Sequence, residues 1–152
     1  MKSNDLRIIA VIGAGECNSS QADVAREVGR LLAVAGCVLV TGGLGGVMAA
    51  ASEGASSAGG TVVGILPGTD PGAANPWVDI PIATGMGDAR NAILCNTAEA
   101  FIAVGGSFGT LSEIAFALKR GKPVVSLDSF RPDDRVRPAA SPAEALEILG
   151  IG

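Results

Sequence analysis

The sequence contains no histidine, no tyrosine and a single tryptophan, Trp77. Without histidine the usual general base is missing, and with it the Ser-His and Cys-His nucleophile pairs and most catalytic zinc sites. Aromatic residues make up 3% of the chain, too few for the stacking platforms that hold single-stranded nucleic acid. Positive charge is scarce as well: 11 basic against 15 acidic residues leave a net charge of −4, so no nucleic-acid partner is expected. Lysine is confined to positions 2, 119 and 122, none in a desolvating context, which removes a Schiff-base mechanism. Cys17, Cys37 and Cys95 form no CxxC pair and the acids are scattered, so neither a disulfide framework nor a metal site is expected, and a reducing cytoplasm fits. The segment from Met1 to Arg7 has no long apolar core, so no signal peptide is expected. Charge is absent from residues 31–52, but Gly36, Gly42, Gly43, Gly45 and Gly46 cut that run into a helix end, a strand and a turn, so no membrane span is expected.

What is present is apolar and glycine-rich. The 152 residues are 48% apolar with a mean hydropathy of +0.44, enough to bury a core without staples, and are read as one domain, 1–152. The 22 glycines fall mostly at the ends of apolar runs. Strands are predicted over 7–12, 37–41, 61–66, 77–82, 99–104 and 123–127. Pro81 argues for an edge or strand-end position of the fourth. Helices are predicted over 20–35, closed by Gly36, over 45–58, over 86–97, and along the stripe Leu111, Ile114, Ala115, Leu118, ended by Gly121. Ser141–Pro142–Ala143–Glu144 has capping-box spacing with proline at the first helical position, so a last helix is predicted to about Leu149. Residues 67–76 and 131–138 read as loops. The strands are continuous apolar runs, which need cover on both faces. The expected fold is therefore α/β: a doubly wound, Rossmann-like single domain, a mostly parallel sheet of about six strands with helices on both faces.

Ligands in such sheets bind where strands end at their carboxyl edge. Four strand ends meet turns of small residues: Gly13–Ala14–Gly15, Thr41 to Gly46, Thr84 to Gly87, and Gly105 to Thr110. Glycine lets backbone N–H groups approach a ligand, and a following helix N-terminus adds a positive dipole end, which together suit phosphate. Each turn also has a purely structural reading, since tight strand–helix turns use glycine in any α/β protein. A full GxGxxG would need glycine at position 18, where Asn18 stands, and the second strand ends in Thr41–Gly42–Gly43 rather than an acid, so ordinary NAD binding is disfavoured. No GxxxxGK[ST] motif exists.

Glu113 is expected one turn into a helix whose N-terminus faces the crevice, where a carboxylate can act on a sugar. Thr110 to Glu113 equally has capping-box spacing, so a cap role is open. Arg90 comes early in its helix, where a cation opposes the macrodipole, so it reads as a ligand group or a solvated side chain. Asn91 reads as a polar ligand contact or a helix-surface residue.

Arg90–Asn91 followed by Gly106 to Glu113 resembles the paired motifs of the LOG (Lonely Guy) superfamily, an arginine motif followed by PGGxGTxxE. Members are often labelled lysine decarboxylases, an activity not expected here. Segments Gly42 to Met48, Asn75–Pro76, Thr84 to Asn91 and Leu118 to Pro123 are similar to the branch that includes molybdenum-cofactor carrier-like proteins, and the resemblance spans about residues 7–128. It implies hydrolysis of the N-glycosidic bond of a nucleoside 5′-monophosphate to free base and ribose 5-phosphate, with Arg90 and Glu113 as the catalytic pair. It places phosphate and nucleotide contacts at Gly13, Gly15, Gly42, Gly43, Asn91, Gly106, Ser107, Gly109 and Thr110, with no metal and no resident cofactor. A carboxylate stabilises the positive charge that builds on the ribose as such a bond breaks. It also implies a homodimer or higher homo-oligomer. The motif departs from the enzymes' pattern at four places: Gly105 for Pro, Ser107 for the second Gly, Ser112 for a second Glu, and Asn91 for Lys. Two function classes therefore stand: a phosphoribohydrolase, or a non-catalytic carrier or sensor of a nucleotide-like or molybdopterin-type ligand.

Overall fold

The continuous apolar runs become strands buried on both sides. In the computed structural model, which describes residues 6–152, β1 (Ile8–Gly13) leads through Asn18 into α1 (Ser19–Val34). Asn18 caps that helix reciprocally: its Oδ1 accepts from the Gln21 N–H at 2.8 Å, and its own N–H donates to Gln21 Oε1 at 3.1 Å. Then follow β2 (Val38–Thr41), α2 (Val47–Ser57), β3 (Val62–Leu66) and β4 (Ile80–Ala83). A short 3-10 turn, Gly87–Ala89, runs into α3 (Arg90–Thr97). The second half comprises β5 (Ala100–Val104), α4 (Phe108–Lys119), β6 (Val124–Leu127), β7 (Val136–Pro138) and α5 (Pro142–Ile148). The reading of a missing leader falls mainly on residues 1–5, outside the described residues.

Two elements differ from expectation. The fourth strand begins at Ile80 instead of Trp77, because Asn75 folds the preceding residues into a turn, its Oδ1 accepting from the Trp77 N–H at 3.1 Å. A seventh strand, β7, arises inside the charged segment 131–138. Only Val136 of it is buried, so no apolar run announces it.

The sheet is parallel throughout, in the order β4-β3-β2-β1-β5-β6-β7. β4 is an edge, as Pro81 requires. One face packs Ile9, Val11, Leu39 and Ile102 against Val28 and Leu32 of α1, Val47 and Ala51 of α2, and Leu146 of α5. The other packs Ala10, Ile12, Val40 and Phe101 against Leu94 of α3 and Ile114 and Ala117 of α4. Helices α1 and α2 touch through glycine: a Cβ on Gly29 would strike the Ala51 carbonyl, and one on Gly54 the Arg26 carbonyl. Lys122 closes the carboxyl end of α3, its Nζ donating to the carbonyls of Cys95 (2.7 Å), Asn96 (3.0 Å) and Ala98 (2.7 Å). The strand order reverses at β1 and β5, so the loops that follow them diverge to opposite faces and open a crevice at their carboxyl ends.

Candidate functional site

The chain reaches that crevice from four strand ends. A cavity of about 150 Å³ is lined there by Gly13 at the end of β1 and Gly15 beyond it, Gly42 and Met48 around the β2–α2 turn, Asp88 just before α3 with Arg90 and Asn91 at its start, and Ser107 at the N-cap of α4 with Gly109, Thr110 and Glu113. Val11 and Ile12 form its floor. Two residues anticipated for the site lie elsewhere. Gly43 is spent on its own turn, with φ +77°, its N–H donating to Thr41 Oγ1 at 2.9 Å and its carbonyl accepting from the Asn75 N–H at 2.8 Å. Gly106 faces a neighbouring cavity on the far side of the β5–α4 loop.

Arg90 is held rather than solvated. Its Nη1 donates to the carbonyls of Gly42 at 2.9 Å and Ile65 at 2.7 Å. Gly42 is the seat for this guanidinium: a Cβ there would overlap Nη1 and lie 2.7 Å from Met48 Sδ. Burial lowers the pKa of Arg90, while Glu113 and then Asp88 raise it electrostatically. The misfit of a cation near the start of a helix is thus offset by two carbonyls and two carboxylates.

Glu113 is 8% exposed. The cap alternative does not hold, because α4 starts at Phe108 with Ser107 at the N-cap position, which puts Glu113 in the second turn. The Ser107 N–H donates to Thr110 Oγ1 at 3.2 Å, so threonine takes the reciprocal role expected of the glutamate. Burial pushes the Glu113 carboxyl from an ordinary 4.5 up to about 7, with Arg90 pulling the other way. Arg90 and Glu113 line the same cavity without a direct ion pair among the described residues. Asn91 is buried, and its Nδ2 donates to Ser112 Oγ at 3.2 Å. Ser112 in turn donates to the Gly109 carbonyl at 2.8 Å. Two departures from the LOG enzymes' pattern therefore touch one another, forming a neutral pair where Lys and Glu are usual.

Chemically, the arrangement presents one fixed cation, the opening N–H groups of the 12-residue helix α4, and a buried carboxylate poised to gain or lose a proton near neutrality. A phosphate suits the first two. Among the described residues no group of three or more His, Cys, Asp or Glu is placed to hold a metal ion, and no helix is long and apolar enough to cross a membrane. Met48 was missed as a lining residue, and Asp88 was expected only as part of the stretch Thr84 to Arg90 that follows a strand end. The signal available was position: each lies within a few residues of a glycine turn at a strand end.

A parallel sheet with glycine turns at its switch point, an arginine opening one helix and a Gly-Ser-x-Gly-Thr-x-x-Glu segment opening the next, defines a Rossmann-like protein of the LOG superfamily. Within it the chain belongs to the SLOG cluster4 family, whose model matches residues 6–147. An uncharacterized protein of Archaeoglobus fulgidus is 50% identical over 138 residues, 91% of each chain. The structure is similar to that of the molybdenum cofactor binding protein from Rippkaea orientalis, with 39% identity, a TM-score of 0.90 and 95% of each chain covered. It is also similar to the molybdenum cofactor carrier protein of Chlamydomonas reinhardtii, with 39% identity, a TM-score of 0.87, and 95% of this chain and 96% of that one covered.

Proposed function

We propose that the crevice binds a phosphorylated small molecule and that the protein carries or senses this ligand, which is nucleotide-like or of the molybdopterin type. The observation that carries this reading is that Arg90 and the α4 N-terminus line one cavity, an anion seat with no histidine near it. Three further features favour carriage over turnover. Gly105 has φ +55°, which proline cannot adopt, so the loop differs from one built on the enzymes' Pro-Gly-Gly. The Asn91–Ser112 pair is neutral where the enzymes carry charge. Proteins that share 39% of its sequence over 95% of its length are described as binding or carrying molybdenum cofactor.

Titration calorimetry with ribose 5-phosphate, with nucleoside monophosphates and with molybdopterin, alongside chromatography for free base, tests the reading. Binding without base release is the expected result. Arg90→Ala should weaken binding of phosphorylated ligands by about 1.5–3 kcal/mol, the scale of a hydrogen bond to a charged group. Binding untouched by this substitution in a variant that folds would refute the phosphate seat. One observation favours the second reading, a phosphoribohydrolase: the proton-poised Glu113 beside a fixed cation. Under that reading free base accumulates, and Glu113→Gln slows its release by roughly 10²–10³-fold.

A further inference from the structure

The guanidinium of Arg90 is held by main-chain carbonyls, so its position depends on what holds those carbonyls. Three consecutive carbonyls of the β2–α2 turn are engaged. That of Gly42 accepts from Arg90 Nη1 at 2.9 Å. That of Gly43 accepts from the Asn75 N–H at 2.8 Å, and that of Leu44 from Asn75 Nδ2 at 3.0 Å. Two of these three bonds therefore come from one residue, which lies 31 positions from Leu44 in sequence and lines no part of the crevice.

The turn needs such ties. Gly43 has φ +77°, and glycine loses more conformational freedom on folding than any other residue. Within the turn the Gly43 N–H donates to Thr41 Oγ1 at 2.9 Å, and on the Gly43–Leu44 side the ties from outside come from Asn75. Asn75 is itself restrained. Its Oδ1 accepts from the Trp77 N–H at 3.1 Å, an Asx turn. Pro76 disfavours helical backbone at Asn75 and so limits the swing of the donor. Beneath the contact, a Cβ on Gly64 would lie 3.1 Å from the Gly43 Cα and 3.0 Å from Val78 Cγ1, so β3 packs without slack between the β2–α2 turn and the segment that follows Asn75.

We infer that Asn75 is the positioning residue of the anion seat: it fixes the Gly43 and Leu44 carbonyls toward itself and so keeps the Gly42 carbonyl aimed at Arg90. Loss of the Nδ2 bond frees the Leu44 peptide to rotate, and the Gly42 carbonyl shifts with the turn. The guanidinium then keeps only its bond to the Ile65 carbonyl, at 2.7 Å. A cation free to wander must be ordered again by the ligand, at a cost to affinity. This role rests on the reading of a phosphate seat and deepens it, naming what orients the cation. It also gives a purpose to Asn75–Pro76, a motif that adds no residue to the cavity lining.

A double-mutant cycle in the full chain, with ribose 5-phosphate as the probe, tests this. Asn75→Ala should weaken binding by roughly three- to tenfold, but by less than about twofold in an Arg90→Ala background, because the effect passes through Arg90. A second readout needs no ligand. The side-chain N–H signals of Arg90, assigned by their loss in Arg90→Ala, should exchange with solvent roughly three- to tenfold faster in Asn75→Ala than in the parent. Asn75→Asp, which keeps the acceptor for the Trp77 N–H and lacks only the donor to Leu44, should release Arg90 to the same extent. No loss of affinity in Asn75→Ala, equal losses in both backgrounds, or Arg90 exchange indifferent to both substitutions overturns the inference and leaves Asn75 a loop anchor only. A parent that binds no ribose 5-phosphate sinks the phosphate seat instead. In that case, and equally where Arg90→Ala abolishes binding, the exchange rates alone decide whether Asn75 holds Arg90.

Discussion

Replacing Glu113 by glutamine should make the protein more stable at alkaline pH, because the buried carboxyl resists ionisation. The carboxyl is buried, and its pKa rises from an ordinary 4.5 to about 7. The folded state therefore holds a proton more tightly than the unfolded chain does. Stability from this group is complete below about pH 4.5 and is lost progressively as pH rises through about 7. At about 1.36 kcal/mol for each pKa unit, the full loss is about 3 kcal/mol, a large fraction of a domain's 5–15 kcal/mol. Glutamine keeps the shape and stays neutral, so Glu113→Gln should gain up to about 3 kcal/mol over the parent at pH 8.5 and nothing comparable at pH 4.5. Urea unfolding of both proteins at several pH values measures this. The difference between them isolates Glu113 from every other titrating group. A parent and variant whose stabilities run parallel from pH 4.5 to 8.5 would show that the carboxylate is satisfied when charged, and the reasoning from burial would be wrong.

Gly54→Ala should destabilise the fold by about 1–3 kcal/mol, because the added methyl meets the Arg26 backbone at the α1–α2 crossing; a thermal midpoint equal to the parent's would contradict the packing described. Two copies of the chain should pair through the exposed apolar surface at the β4 edge, where Ile80 and Ile82 are 50% and 44% exposed on the face that Ile65 shares. Light scattering should report a dimer or larger assembly that Ile82→Glu dissociates, and a parent protein that is monomeric at micromolar concentration rules this out.

The sheet was legible because parallel strands buried on both sides leave continuous apolar runs such as Ile8–Gly13 and Ala100–Val104, and glycines mark where they stop. β7 was not, since a three-residue strand with one buried side chain carries no periodicity. The crevice was legible at the level of strand ends, and nine of the eleven residues named in advance line it. Which glycines reach it was not. Gly42 and Gly43 are adjacent and chemically identical, yet one seats a guanidinium and the other bends away with φ +77°, a choice set by backbone torsions and the distant Asn75. The role of Glu113 was ambiguous for a related reason. Helix start positions shift by a few residues with little change in pattern, and here Ser107 wins the cap over Thr110.

The seam between β1 and β5 has a meaning for biogenesis as well as for ligands. β2, β3 and β4 follow β1 in sequence and stack outward on one side of it, whereas the strand that closes its other side begins at Ala100. A chain emerging from the ribosome can lay down the β4-β3-β2-β1 half while β1, the central strand of the finished sheet, still offers an open hydrogen-bonding edge to any passing strand. Closing Ile9 onto Ala100 brings together residues separated by most of the preceding chain, a slow, long-range step. The same step creates the floor of the crevice, so the binding site is completed only when the aggregation-prone edge disappears.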